Sequence, residues 1–102
     1  MALMRVSKAG GGQMVSGAID INNNESATIN FGGVPKKFSI LVETTSDNAP
    51  YEQWSYDEDY SNTKYVKATA GQYTTGVNWT PASTLAMDTS TRARKAYYFA
   101  VL

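Results

Sequence analysis

Apolar and polar residues alternate with a period of two along most of this chain, which is the pattern of half-buried β-strands. The segment Gly12 to Ile21 alternates Met14, Ser16, Ala18 and Asp20 with Val15, Gly17, Ile19 and Ile21, and the second set forms a mostly apolar face. Ala27 to Phe31 alternates in the same way after the polar segment 22–26, whose asparagines favour a turn. The pattern therefore predicts a β-hairpin in the first third of the chain.

The most apolar run in the first half, Lys37 to Glu43, predicts a central strand that packs on at least one face. It follows a loop at Gly32 to Pro35, because a proline has no N–H for a β-ladder and holds the residue before it in an extended conformation. Further strands are predicted at Tyr51 to Tyr56, at Thr63 to Thr69 and Gln72 to Trp79 as a second hairpin, around Leu85 and Met87, and at Lys95 to Leu102. The last of these is almost entirely apolar, which predicts a strand buried inside a sheet.

The strands number about seven or eight and recur at intervals typical of sandwiches and barrels. We therefore expect an all-β fold, an antiparallel β-sandwich, with a jelly roll as one form of it. A length of 102 residues suits a single domain, which we place at residues 13–102. Residues 1–12 contain three consecutive glycines and are expected to form a flexible N-terminal arm.

Charge and composition argue against several classes of function. Nine Lys and Arg residues balance nine Asp and Glu residues, so no net field attracts nucleic acid or anionic lipid. Histidine and cysteine are absent, which removes the usual general base, thiol nucleophile and zinc ligands. We expect no enzyme activity, metal or cofactor. The basic residues Arg92, Arg94 and Lys95 are expected in an exposed loop before the last strand.

No segment approaches the roughly 20 apolar residues that span a bilayer, and the N-terminus lacks the apolar run of a signal peptide. Membrane insertion is therefore not expected. The protein is expected to be made in the cytoplasm of the cell that synthesises it.

The segment SYDEDYSNTKY, Ser55 to Tyr65, places three carboxylates between aromatic side chains. The spacing of Asp57 and Asp59 fits an oxygen-ligated cation site, but the glycine and terminal glutamate of an EF-hand loop are missing. A glycosidase needs two carboxylates facing each other across about 5–10 Å, which adjacent acids in a polar loop do not provide. The simplest prediction is an exposed connection between two strands.

The aromatic residues beside this loop have two interpretations. Trp54, Tyr56 and Tyr60 could stack on sugar rings while Asp57 and Asp59 bind hydroxyl groups, which makes these five residues the candidate ligand site. Alternatively, the aromatic side chains pack in the core of the sandwich, which is the commoner environment for such residues.

Several segments together resemble small phage and prophage virion proteins, which are tail-fibre, baseplate or head-fibre components. The resemblance lies in RVS (Arg5 to Ser7), FGGVPKKFSILV (Phe31 to Val42), YDEDYSNTKYVKA (Tyr56 to Ala68) and AYYFAVL (Ala96 to Leu102). It implies a non-enzymatic bacteriophage structural protein, displayed on the tail or head of the virion. Such a protein assembles as a homo-oligomer with other virion proteins and takes part in host-surface attachment.

A second likeness covers mainly Phe31 to Val42, which is similar to the opening of sugar-binding sandwiches of the H-type lectin kind. It implies association of three copies, and the alternative function of a free carbohydrate-binding module or lectin that binds a surface glycan. In the virion interpretation, the apolar tip of the N-terminal arm is a candidate assembly site that docks onto a capsid or tail partner. Its residues are Met1, Leu3, Met4 and Val6.

Overall fold

A computed structural model describes residues 13–21, 27–47, 50–69, 72–73, 76–89 and 92–102. These residues form strands and connecting loops. The strands are β1 (Met14–Asp20), β2 (Ala27–Asn30), β3 (Lys37–Thr44), β4 (Tyr51–Asp57), β5 (Lys64–Thr69), β6 (Gln72–Tyr73), β7 (Val77–Asn78), β8 (Thr84–Met87) and β9 (Ala93–Val101). The prediction of an all-β antiparallel sandwich is confirmed. The predicted arm at residues 1–12 lies outside the described residues.

Two antiparallel sheets make up the sandwich. The large sheet has the strand order β1-β9-β3-β4-β5-β6, and β7 also pairs with β5. The small sheet consists of β2 and β8. Strands from the first and last parts of the sequence pair with each other: β1 pairs with β9, and β2 pairs with β8. Between them, β3, β4 and β5 form a meander in the large sheet. The predicted central position of Lys37 to Glu43 is confirmed, because β3 lies between β9 and β4.

The predicted hairpin between the first two strands is wrong. β1 pairs with β9, where Ile19 lies opposite Ala96, and β2 pairs with β8, where Ile29 lies opposite Leu85. The two strands therefore belong to different sheets. The hairpin was predicted because the two segments are close in sequence. In the structure each strand instead pairs with a strand near the other end of the chain, and both apolar faces are buried in one core.

The core lies between the inner face of the large sheet and the small sheet. Ile40, Val42 and Trp54 of the large sheet are fully buried, and so is Ile29 of the small sheet. Leu85 and Met87 of β8, each 2% exposed, belong to the same cluster. The alternation read from the sequence is thus the alternation of inner and outer faces, since every second residue of β3 and β4 is buried.

Aromatic rings form a continuous cluster inside this core, centred on Phe38. The Phe38 ring stacks with Phe31 at 5.5 Å and with Tyr56 at 5.4 Å between ring centroids. It also meets the edge of Trp79 at 5.5 Å and contacts Tyr65 at 6.2 Å. These separations are those of favourable aromatic pairs. Phe38 therefore joins strands β3, β4 and β5 to the loops that carry Phe31 and Trp79.

Two glycines have specific roles in this packing. A Cβ on Gly17 would lie 2.7 Å from the Tyr98 hydroxyl oxygen, so the absence of a side chain lets the facing tyrosine lie across β1. Gly32 has a φ of 81°, a left-handed conformation that suits glycine, and its N–H donates to Asn30 Oδ1 at 2.9 Å. This turn directs the chain from the small sheet into the large one.

The last strand and the second hairpin differ in detail from their predictions. β9 begins at Ala93, two residues before the predicted start at Lys95, so Arg94 lies in the strand and not in the predicted loop. Within the predicted strand Gln72 to Trp79, the described residues form two short strands: β6 pairs with the end of β5, and β7 pairs with its start in a register shifted by one residue. β9 does lie inside the sheet, but only one of its faces is buried, as described below.

Candidate functional site

The outer face of the large sheet is defined by the residues of β1, β9, β3 and β4 that point away from the core. Strand registers arrange these residues in four rows that run across the strands. The first row is Asp20, Lys95, Glu43 and Tyr51, named in the strand order β1, β9, β3, β4 that is kept for every row. The two middle rows are Ala18, Tyr97, Leu41 and Gln53, followed by Ser16, Phe99, Ser39 and Ser55. The last row is Met14, Val101, Lys37 and Asp57. Charged side chains thus lie only in the first and last rows.

The two middle rows expose large apolar side chains. Leu41, Tyr97 and Phe99 are 46%, 44% and 45% exposed, and Tyr97 lies directly opposite Leu41 in the register of β9 and β3. Met14 on the neighbouring β1 is 65% exposed. Scattered apolar side chains are normal on a protein surface, but a contiguous group surrounded by charged residues is typical of an interaction site.

The charged rows contain side chains of both signs. In the first row, Lys95 Nζ lies 3.9 Å from Asp20 Oδ1 and also faces Glu43 in the strand register. In the last row, Lys37 Nζ lies 3.7 Å from Asp57 Oδ2. Exposed pairs of this kind contribute at most about 1 kcal/mol to stability. Their main consequence is that each end of the outer face carries both a cation and an anion.

A groove of about 470 Å³ opens on the outer face beside the loop that follows β4. Phe99 and Val101 of β9, together with Val66 of β5, supply apolar contacts, and Tyr60, which is 81% exposed, supplies an aromatic side chain at its edge. The remaining lining residues are Lys37, Phe38, Ser39, Ser55, Tyr56 and Asp57. The volume is within the range of small-molecule and peptide side-chain sites.

The acidic loop at this edge is held together by its own backbone. Asp57 Oδ1 accepts the N–H of Asp59 at 2.9 Å, and the Asp57 carbonyl accepts the N–H groups of Tyr60 and Ser61, both at 3.0 Å. The Glu58 N–H donates to the Lys36 carbonyl at 3.0 Å. The prediction that this segment connects two strands is confirmed, and Asp57 serves the turn through both its backbone and its side chain.

The five predicted ligand residues separate into two groups. Trp54 is fully buried and Tyr56 is 4% exposed, so neither ring is available to stack on a sugar. The prediction that these two side chains bind a ligand is therefore wrong, and the alternative prediction, that they pack in the core, is the one that the structure shows. Asp57, Asp59 and Tyr60 lie at the surface, and two of them, Asp57 and Tyr60, line the groove.

Burial also changes the acid–base properties of two tyrosines. Burial raises the pKa of Tyr56, and the nearby charges of Glu58 and Asp57 raise it further. Burial likewise raises the pKa of Tyr65, with an added contribution from Asp88. Both phenols therefore hold their protons more strongly in the folded chain than in water, as expected of core residues rather than of groups that donate protons.

A buried ion pair lies on the inner face and does not belong to the groove. Glu52 is 3% exposed, and its Oε1 lies 4.0 Å from Lys67 Nζ. The same ammonium group lies 5.0 Å from the centroid of the Trp54 ring and donates to the Asp88 carbonyl at 3.1 Å. These three contacts of Lys67 are with groups of the folded domain, which indicates a structural role.

Sequence reasoning missed the apolar part of the outer face. Tyr97 and Phe99 belong to the run that was predicted to be buried, and Leu41 to the strand predicted as central. A signal was present, because the outward positions of β3 and β9 remain apolar where a solvent-facing strand usually carries polar residues. The same run is also typical of a strand covered on both faces, so the pattern alone did not distinguish exposure from burial.

Within the part of the chain that the structure describes, no three His, Cys, Asp or Glu side chains form a group able to hold a metal ion. No helix in that part is long and apolar enough to cross a membrane. The predicted assembly residues Met1, Leu3, Met4 and Val6 lie outside the described residues.

Comparison with known proteins adds no family or function to these observations. No protein-family model matches the sequence. Neither the curated proteins nor the solved structures give a significant match.

Proposed function

We propose that this chain is a non-enzymatic structural protein of a bacteriophage virion, which assembles as a homo-oligomer on the tail or head. The observation that carries the proposal is the uncovered apolar surface formed by Leu41, Tyr97 and Phe99 on the outer face. Contiguous apolar surface of this kind favours contact with another protein over permanent exposure to water. The resemblance of Phe31 to Val42 and Ala96 to Leu102 to phage virion segments supplies the biological setting.

The fold is also suited to repeated assembly. The outer-face strands β9 and β3 lie in the interior of the large sheet and are hydrogen-bonded on both sides, so their side chains are presented on a fixed backbone. A preformed surface reduces the entropy lost when partners associate. A small domain also gains stability when association buries additional apolar surface.

The test is the protein composition of virus particles. Particles released from the strain that carries this gene are purified on a density gradient, digested and quantified by mass spectrometry. We expect the chain in the particle band, at a copy number that is a constant multiple per particle, together with capsid and tail proteins. Recovery only from the soluble fraction of the cell lysate, in particle-producing cultures, would contradict the proposal.

A second candidate function, a carbohydrate-binding module, is favoured by the groove. Tyr60 presents an exposed aromatic ring, Phe99 also lines the groove, and Ser39, Ser55 and Asp57 contribute hydroxyl and carboxylate groups to the same lining. Stacking on an aromatic ring combined with hydrogen bonds to hydroxyls is a common way to bind a sugar. In this case host attachment would depend on glycan binding at the groove.

The glycan hypothesis predicts that Tyr60→Ala abolishes binding on a glycan array, whereas Val34→Ala has no effect. Val34 is the matched control because it is an exposed apolar residue, 54% accessible, that does not line the groove. Circular dichroism of both variants establishes that the fold is retained. Absence of any binding by the parent protein would remove this candidate.

A further inference from the structure

We infer that a second copy of this chain covers the outer face, related to the first by a two-fold axis in the plane of the interface and perpendicular to the strands. The inference rests on the proposed oligomeric function and identifies the partner at the same surface. It depends on the arrangement of side chains in the four rows, since a surface that packs on its own copy must be complementary to itself.

The two-fold axis would pass between the two middle rows and exchange them. On strand β9, Tyr97 of one copy then meets Phe99 of the other, and the same contact occurs twice by symmetry. The two residues are equally exposed, at 44% and 45%, and lie two positions apart on one strand, about 7 Å along it. Aromatic pairs at the centre of an interface are the contacts that most often dominate its affinity.

The same operation brings one pair of opposite charges together between the outer rows, and symmetry repeats it. On strand β3, Glu43 of one copy meets Lys37 of the other, because these residues lie at opposite ends of the strand's outer face. On strand β9, Lys95 meets Val101, and on β1, Asp20 meets Met14. No like charges are placed opposite each other in these pairs, and the two cross-copy ion pairs fix the register.

A two-fold axis parallel to the strands is the main alternative for self-association. It would place Tyr97 over Leu41, Lys95 over Glu43 and Phe99 over Ser39, whereas the perpendicular axis places Leu41 over Ser39. The axis perpendicular to the strands instead pairs the two aromatic rings of the middle rows, Tyr97 and Phe99, with each other. The aromatic residues therefore favour the perpendicular axis.

The size of the face sets a lower limit to the area that a dimer would bury. Four neighbouring strands at about 4.8 Å and seven residues at about 3.4 Å give a face of roughly 19 Å by 24 Å. This is a projected area of about 460 Å² before the relief of the side chains is included, and a typical stable interface buries about 800 Å² on each partner. Sheets that pack face to face through such side chains align at about 30°.

The first test measures mass in solution by light scattering across a dilution series. We expect a species of twice the 11.1 kDa mass of one chain. Phe99→Ser and Tyr97→Ser should each weaken the dimer by about tenfold or more. Val34→Ser is the matched control, since it removes an apolar side chain that is 54% exposed and lies off the outer face, and it should leave the dimer unchanged.

The second test exchanges charges between the two ends of β3. Glu43→Lys places two ammonium groups opposite each other across the perpendicular axis and should weaken the dimer, while Lys37→Glu/Glu43→Lys together restore opposite charges and should recover affinity. Under the parallel axis, Lys95→Glu/Glu43→Lys would be the pair that recovers it. Recovery by that pair alone, or by neither, overturns the proposed arrangement.

A monomer at all concentrations, or a trimer that Phe99→Ser leaves intact, would overturn the inference. A monomer that binds a glycan or another virion protein through Phe99 would do so as well, because the face would then have a different occupant. These results are distinguishable from failure of the proposed function. The particle composition reports whether the chain is in the virion, and the dilution series reports what covers the outer face.

Discussion

Two phenylalanines on opposite faces of the large sheet provide a sharp test of which face is the core. Phe38 is 3% exposed and its ring contacts four other aromatic rings at centroid separations between 5.4 and 6.2 Å. Phe99 lies on the adjacent strand but points outward and is 45% exposed. The same substitution to alanine at both positions removes the same atoms from two different environments.

The expected costs differ severalfold. Phe38→Ala removes a fully buried ring and leaves a cavity among its neighbours, which typically lowers the free energy of unfolding by about 3–5 kcal/mol. The upper part of that range applies because the surrounding rings and the paired strands restrict collapse into the cavity. Phe99→Ala loses only the buried part of the side chain, and solvent fills the space, so we expect a cost of about 1 kcal/mol.

The assay is equilibrium unfolding in urea, monitored by circular dichroism. The urea concentrations at the unfolding midpoints are compared only if the dependence of the unfolding free energy on urea has the same slope in both variants. Protein is kept at the lowest workable concentration, because association through the outer face would add a concentration-dependent contribution to the stability of the parent chain. Since domains of this size have about 5–15 kcal/mol of stability, Phe38→Ala should unfold at a far lower urea concentration. Equal costs for the two substitutions would refute the assignment of inner and outer faces.

Three further perturbations test the interior and one turn. The pKa values of Tyr56 and Tyr65 are both raised above the ordinary 10.0, so the folded chain retains protons that the unfolded chain releases, and its stability should be full below about pH 10 and fall as the pH rises further. Tyr65→Phe should reduce this fall when the free energy of unfolding is measured from about pH 9 to about pH 12. An unchanged slope of unfolding free energy against pH would contradict the prediction. Lys67→Met removes a charged partner of the buried Glu52 and should lower the free energy of unfolding by about 2 kcal/mol. Adding Glu52→Gln to the same chain should recover part of this loss, which a double-mutant cycle measures. Gly32→Ala should cost about 1–2 kcal/mol because φ is 81° there, and an unchanged melting temperature would count against that conformation.

The period-two pattern predicted individual strands better than it predicted their partners. Alternation in Lys37 to Glu43 and in Tyr51 to Tyr56 placed the inward residues correctly, because burial on one face directly selects apolar side chains at every second position. Pairing depends on which faces meet in the folded chain. Nothing in residues 14–30 indicates that β1 pairs with a strand more than 70 residues away, and the local hairpin was predicted in its place.

The candidate site shows a similar division between local and nonlocal information. The acidic loop was predicted because turn residues act on their own neighbours, and Asp57 does bond within the turn. Trp54 and Tyr56 were proposed as ligand residues because they precede the loop in sequence. In the strand their side chains point to the opposite face from Ser55 and Asp57, so both rings are buried in the core although they lie next to the loop in sequence.

The apolar outer face could be recognised only once the pairing registers of the strands were known. A fully covered strand and a strand with one apolar face awaiting a partner have the same sequence pattern, since both carry apolar residues at consecutive positions. The difference lies in what covers the second face. Here the small sheet lies on the inner face, where Ile29 and Leu85 join the core cluster, while Tyr97 and Phe99 on the other face remain about half exposed within one chain. Folding therefore explains the apolar residues on the inner face of the closing strand, and the proposed second copy would explain those on its outer face.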